Sequence, residues 1–257
     1  MRAKLSAEMS EKIKLHLYRT TDSTNKRAKE FAKSCSEDEK KYIHIFIADE
    51  QTAGRGRMGK SFDSKAGCGL YMSILSHRDI AAADGVAITA YTAVAVCRAL
   101  RRLTPLDPKI KWVNDIYVNR KKLCGILVEG SADPTTGKLR YSVTGIGLNL
   151  LARDFGELSY IATDVETECG IALPVSLVAA EIAREFISRL DTAGTPECVA
   201  EYRRLSMLAG ERVQVIKSGE TYPAQGLGIT DGRELLILRD DGTEEALSSG
   251  EVSLKLS

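Results

Sequence analysis

The segment Gln51-Thr52-Ala53-Gly54-Arg55-Gly56-Arg57-Met58-Gly59-Lys60 concentrates the residue types that could do chemistry. Its three glycines let the backbone approach an anion closely or take positive φ, while Arg55, Arg57 and Lys60 set cationic charge beside the amides. Such a loop suits phosphate or carboxylate. From Gly54 to Ser61 the spacing also matches the P-loop pattern G-x-x-x-x-G-K-[ST]. The flanks argue otherwise. Five residues, 49–53, separate an apolar run at 43–48 from Gly54, and Gly67 and Gly69 stand where a helix would have to begin. A strand-like run at 70–75 follows, so the segment is predicted to be a long anion-binding loop between two strands.

A second basic constellation spans Lys111-Trp112-Val113-Asn114-Asp115 and residues 116–129. It reads as two short strands joined by a polar turn at 119–121, the second strand covering 123–129. Lys111, Asn114, Asp115 and Lys122 would then converge on one mouth; a solvated hairpin with surface lysines is the plainer alternative. Trp112, the only tryptophan, suits either the core or the wall of a base-binding pocket.

In chain order these motifs resemble the biotin–protein ligase family, in the catalytic part of its bacterial repressor/ligase members. The resemblance begins at Thr21-Asp22-Ser23-Thr24-Asn25 and continues through the glycine-rich loop, Lys111 to Asp115, and Lys122-Leu123-Cys124-Gly125-Ile126-Leu127-Val128-Glu129. It runs on through Gly145-Ile146-Gly147-Leu148-Asn149-Leu150 to a small β-rich tail. Two departures are apolar swaps expected to touch packing more than chemistry: Val113 where the family usually has proline, and Phe62 where it often has tryptophan.

The resemblance implies a ligase with two half-reactions. Biotin and ATP, with Mg²⁺, give biotinyl-5′-adenylate and pyrophosphate; the acyl group then passes to a lysine of a biotin carboxyl carrier domain, for example of acetyl-CoA carboxylase. Joining a carboxylate to a phosphate brings two anions together. Fixed cations and amides answer that problem without an enzyme nucleophile, so the lack of a Ser-His-Asp or Cys-His motif is no objection. Residue by residue, Ser23, Thr24 and Asn25 match the biotin-contacting tripeptide, although Ser23 or Asp22 would equally serve as a helix cap. Gln51 would also face biotin. Gly54, Arg55, Gly56 and Arg57 match the loop that covers biotin and the adenylate phosphate. Lys111 looks like the lysine that neutralises ATP phosphate, and Lys122 the one bridging the carboxylate and the α-phosphate. Asn114 and Gly125 lie in the same motifs and join the ligand-binding set, with Trp112 and Asn149 toward adenosine. Asp115 is either a Mg²⁺ ligand or the base for the incoming lysine, whose ordinary pKa near 10.4 leaves it mostly charged.

These motifs need elements to hold them. Strands are predicted at 13–18 and 42–48, with a helix from Thr24 to about Ser34 between them. A long helix over 85–102 follows, then strands at 111–129 and 139–150 and two helices over 174–190 and 196–208. From Gly210 onward, short β-type runs at 212–216, 221–225 and 235–238 alternate with turns at Ser218-Gly219, Thr230-Asp231-Gly232 and Asp240-Asp241-Gly242. The expected architecture is an α/β (α+β) mixed sheet flanked by helices over 1–208 and a small β unit over 209–257. In the family these are a class II synthetase-like, biotin–lipoate ligase catalytic domain and an SH3-like barrel.

The 257 residues, 44% hydrophobic with 36 basic against 35 acidic side chains, describe an ordinary globular protein without the basic excess of nucleic-acid binders. No apolar run reaches the ~20 residues of a membrane helix, and residues 1–14 are too polar for a signal peptide. Six scattered cysteines without a C-x-x-C pair suit thiols in a reducing cytoplasm, and three histidines without ligand spacing suit structural roles. Too few residues precede the first motif for a helix-turn-helix domain, so DNA binding is not expected; the protein is expected as a monomer or homodimer. A lipoate or octanoate ligase is the nearest rival, followed by a P-loop nucleotidase and a non-catalytic binding module. The Gly-Arg-Gly-Arg sequence at 54–57 and the β-rich tail favour biotin.

Overall fold

The computed structural model of the chain describes residues 7–77, 85–217, 219–248 and 250–254; residues 1–6 of the polar N-terminal stretch and Ser218 of the expected turn lie outside them. A short helix α1 (Ala7–Glu11) leads into β1 (Ile13–Thr21), α2 (Thr24–Ser34) and β2 (Ile43–Gln51). Because β1 and β2 pair in parallel, the chain needs a crossover, and α2 supplies it. Ala28 and Ala32 of α2 are small enough to lie close on Phe46, Leu75 and Val143, forming a compact layer on one face of the sheet.

The remaining main-sheet strands are β3 (Gly69–Ser76), β4 (Lys109–Lys111), β5 (Asp115–Val118), β6 (Lys121–Ala132) and β7 (Leu139–Asn149). With β1 and β2 they form a seven-stranded sheet in the order β1-β2-β3-β7-β6-β5-β4. Apart from β1–β2, the neighbours are antiparallel. Every residue of β3 is buried, which explains its largely apolar sequence, since layers cover both faces. The opposite face is covered by α3 (Gly85–Leu103), α5 (Val175–Ser188) and α6 (Pro196–Leu205), with the short α4 (Val165–Cys169) nearby. Residues 87–97, 99 and 100 of α3 are buried and mostly apolar, as a helix enclosed on several sides requires. The predicted mixed α/β sandwich is therefore borne out.

A second sheet of five antiparallel strands has the order β11-β10-β9-β8-β12: β8 (Arg212–Lys217), β9 (Glu220–Ile229), β10 (Leu235–Arg239), β11 (Glu244–Leu247) and β12 (Glu251–Leu254). Its two end strands do not pair with each other among the described residues, so no closed barrel forms there. Val213, Val215, Leu235, Ile237, Leu247 and Val252 continue the main core. The sheet seats tightly: a Cβ at Gly226 would lie 2.1 Å from the Leu208 carbonyl oxygen. Among the described residues no helix is long and apolar enough to cross a membrane.

The histidines serve packing. His44, fully buried, donates from Nε2 to the Glu39 carbonyl at 2.9 Å, leaving Nδ1 to accept from His16 Nε2 at 3.0 Å. His16 also stacks on Phe46 with ring centroids 4.2 Å apart. Burial, and then His44 beside it, lower the His16 pKa from 6.5, against a smaller opposing pull from Glu39. The sign follows: neutral His16 stabilises the fold above the unfolded pKa of 6.5, and that contribution is lost as pH falls through the lower folded value. Thermal midpoints should thus drop between pH 7 and 5, and drop less in His16→Phe, which keeps the stack. Equal slopes in the two proteins would count against the assignment.

Candidate active site

At the start of α2, Asp22 gathers Lys26 Nζ at 2.7 Å, the Ser23 amide at 2.8 Å and Arg27 Nη2 at 2.8 Å. The Lys26 contact foremost holds its carboxyl well below the usual range. Asp22 thereby anchors the turn, and Ser23, at the N-cap, makes no side-chain capping bond. The next two residues are fixed from below. Thr24 donates through its amide (2.9 Å) and hydroxyl (3.1 Å) to Gln51 Oε1, while Gln51 Nε2 donates to Ser64 Oγ at 2.8 Å. Ser73, buried on β3, bridges Thr24 Oγ1 (2.7 Å) and Asn25 Oδ1 (2.6 Å). Asn25 Nδ2 donates to the Leu127 carbonyl and to Glu129 Oε2, at 3.2 and 2.9 Å. The amide group that the sequence assigned to ligand contact is thus heavily engaged within the protein.

The glycine-rich loop lies between β2 and β3, as predicted. It closes on itself through Gly56 N to Lys60 O at 2.6 Å and Phe62 N to Gly54 O at 3.0 Å. Gly54 is dictated by close approach, since a Cβ there would sit 2.3 Å from the Phe62 carbonyl oxygen. Two arginines tie the loop across the cleft: Arg57 Nη1 donates to Asn114 Oδ1 at 3.1 Å, and Arg55 Nη2 to Glu129 Oε2 at 2.7 Å.

On the far side, β4 and β5 pair with Lys111 opposite Asp115. The intervening turn contains a cis Trp112–Val113 peptide. Trp112 Nε1 donates to the Arg233 carbonyl, in the turn between β9 and β10, at 3.0 Å, and buried Tyr202 donates to the Val113 carbonyl at 3.0 Å. Positive φ at Asn119 and Arg120 makes the next hairpin tight, which returns Lys122 to Asp115. Lys122 Nζ lies 2.8 Å from Asp115 Oδ1. The contact is not aligned as a hydrogen bond, so Oδ1 remains a buried acceptor with no hydrogen-bond donor among the described residues. Gly125 leaves room for the pair: its Cβ position is 3.4 Å from Lys122 Cε and 3.6 Å from Asp115 Oδ1.

These three constructions face one cavity of about 160 Å³. Ser23, Thr24, Asn25, Gln51, Arg55, Gly56, Arg57, Lys111, Trp112, Asn114, Asp115, Lys122 and Gly125 all line it. Two expected residues do not. Gly54 shapes the loop from behind, and buried Asn149 donates to the Thr163 carbonyl at 3.0 Å and accepts from Arg153 at 3.2 Å. Asn149 thus pins the segment after β7. Sequence reasoning missed Phe62, Met72, Leu127, Gly145 and Gly147 in the lining, and Gly250 and Val252 from the second sheet. Two signals were available: glycines alternating along β7, which mark close approach, and a serine inside the apolar β3, which implies a polar partner.

The arrangement offers polar groups at one end, an apolar floor, and cations at the other: a place for an acid whose carboxylate meets a phosphate. Among the described residues no group of three or more His, Cys, Asp or Glu stands together to hold a metal. Asp115 is the lining carboxylate that would serve a Mg²⁺ taking one or two carboxylates and completing its shell with substrate phosphates, if Lys122 gave way at Oδ1.

The sequence profile of the biotin/lipoate A/B protein ligase family matches residues 17–149, just over half of the chain. The chain belongs to that family. Within it, a Paracoccus denitrificans biotin–[acetyl-CoA-carboxylase] ligase is 30% identical over 249 residues, covering 90% of this chain and 97% of that protein. The bifunctional ligase/repressor BirA of Bacillus subtilis is 31% identical over 211 residues, covering 80% of this chain; the match spans only 64% of that longer protein. Among solved structures, the biotin protein ligase of Aquifex aeolicus in complex with biotin and ATP superposes with a TM-score of 0.77 at 27% identity, covering 95% of this chain and 99% of that one.

Proposed function

We propose that this family member is an ATP-dependent biotin–protein ligase, which activates biotin as biotinyl-5′-adenylate and passes it to a lysine of a carboxylase carrier domain. The observation that carries this reading is the single cavity in which the Ser23–Gln51 polar group, the glycine-rich loop and the Lys111/Lys122 pair face one another. The names of the relatives support the same reaction.

In the first half-reaction a carboxylate oxygen bonds to the α-phosphorus and pyrophosphate leaves. Lys122 lies between the two anions and Lys111 faces the phosphates, so both stabilise charge that grows in the transition state. Ser23, Thr24 and Gln51 present polar groups to the ureido ring, while the Asn25 amide acts chiefly from behind. Arg57, tied to Asn114, closes the mouth and keeps water from the mixed anhydride. Mg²⁺, held by Asp115 and substrate phosphates, would neutralise phosphate charge. In the second half-reaction the acceptor amine attacks the acyl carbon and AMP leaves; Asp115 is then the carboxylate within reach of that amine.

The same reading takes residues 1–208 as the catalytic domain and 209–257 as an SH3-like unit, supported by the separate second sheet. The setting is taken to be the cytoplasm, and the six free thiols suit it. ATP–pyrophosphate exchange with Mg²⁺ tests the assignment, run with biotin and in parallel with lipoate. Exchange with biotin alone is expected. Exchange with lipoate would transfer the function to the other branch of the family, and exchange with neither would remove the adenylation step.

A further inference from the structure

Side chains at 125, 127 and 129 share one face of β6, since a strand alternates faces with period two. Gly125, Ile126 and Leu127 line the cavity, and Glu129 follows Leu127 on the face that Gly125 and Leu127 share. Its carboxylate collects partners from two other elements. From α2, Asn25 Nδ2 donates to Oε2 at 2.9 Å and Lys29 Nζ lies 2.5 Å from Oε1. From the glycine-rich loop, Arg55 Nη2 donates to Oε2 at 2.7 Å. Burial pushes the Glu129 carboxyl up, but hydrogen bonds from Lys29 and Asn25 and the charges of Lys29 and Arg55 outweigh it. The net shift is below the ordinary value of 4.5, so the group is ionised at neutral pH.

The loop therefore spans the cleft between two tethers. Arg57 holds it to the hairpin at Asn114, and Arg55 holds it to β6 at Glu129. The second tether shares its carboxylate with Asn25, which stands under the polar end of the cavity. We propose that Glu129 is a positioning residue that latches the glycine-rich loop over the cavity through Arg55. The latch also couples loop closure to the orientation of Asn25, because both donate to the same oxygen. Lys29 neutralises the remaining charge and ties Glu129 to α2 without touching the loop. The kinetic consequence rests on the ligase reading above; the loop contact itself does not.

Hydrogen–deuterium exchange of the loop amides at 54–62, without any ligand, separates the two. In Glu129→Gln their exchange should quicken roughly tenfold, the size expected for losing one charge-assisted hydrogen bond. Lys29→Met, which removes only the tie to α2, should leave loop exchange at the wild-type rate. In the unmodified chain, 1 M salt should quicken the same amides and not those of β6 and β7, because screening weakens a partly exposed ion pair. In pyrophosphate exchange, Glu129→Gln should raise the KM for biotin by a similar factor and leave kcat nearly unchanged. Loop exchange that ignores both the substitution and salt overturns the latch, as does equal quickening in the Lys29 variant. If the unmodified protein exchanges pyrophosphate with no acid, the ligase reading falls while the amide measurement still decides the latch.

Discussion

Replacing Lys122 with alanine is expected to slow biotin-dependent ATP–pyrophosphate exchange by about 10²–10³-fold, close to 3 kcal/mol of transition-state stabilisation, the scale of removing one oxyanion donor. The backbone around the substitution should not move. The Lys122 amide donates to the Ile161 carbonyl at 2.7 Å and its own carbonyl accepts from Thr163 N at 3.0 Å, while β5 pairs with it on the other side at Tyr117, so the strand is held without the side chain. What disappears is a single ammonium 2.8 Å from Asp115 and facing the cavity. Since charge on the joining oxygens grows toward the transition state, the loss should fall on kcat more than on the KM for biotin. Lysine cannot be replaced here by arginine without cost, because Gly125 leaves a space sized for a slim stem and a compact charge. Single-turnover formation of the adenylate, alongside thermal melts, would measure the effect. A folded variant within tenfold of the wild-type rate would remove Lys122 from the reacting centre.

The two basic motifs were legible because they are local. Glycines beside arginines define the loop, and the run from Asn119 to Lys122 contains both the turn and the lysine it returns. The apolar run at 70–75 marked β3 as a strand, and the structure buries it on both faces. Residues whose roles depend on distant partners left no such mark. Glu129 meets Arg55 across 74 positions, and Asn25 across 104. Ser73 matters only because the register sets it opposite Gly145 while α2 crosses above. Asn149 stands at the end of a motif rich in cavity residues, yet the segment beyond β7 folds back and engages its amide. Val252 reaches the cavity through docking of the second sheet, which no local pattern records. The strand β11 was missed because it is short and polar, with Leu247 its one buried side chain.

Gly145→Ala should damage both the fold and the polar end of the cavity. In most strand interiors, alanine for glycine stabilises by roughly 0.5–1 kcal/mol, because it restricts the unfolded chain. Here the added Cβ would lie 2.3 Å from Asn25 Oδ1, with Asn25 Cγ at 2.9 Å and Nδ2 at 3.0 Å. The strand cannot retreat, since β7 is paired on one side to β3 through Ser73 and on the other to β6 through Leu127. Asn25 must therefore swing away, breaking its bonds to Ser73, Leu127 and Glu129. Leaving buried polar groups unpaired costs about 1–3 kcal/mol apiece, so a net loss of roughly 2–4 kcal/mol is expected once the glycine benefit offsets part of it. The KM for biotin should rise by about two orders of magnitude, since the displaced amide enters the polar end of the cavity, while the KM for ATP changes little. A double-mutant cycle isolates the cause. With Asn25→Ala already in place, adding Gly145→Ala should be almost neutral for stability, because the atom it strikes is gone. Strictly additive losses would mean that the glycine answers to some other contact, and the polar end of the site would have to be rebuilt without Asn25 as its support.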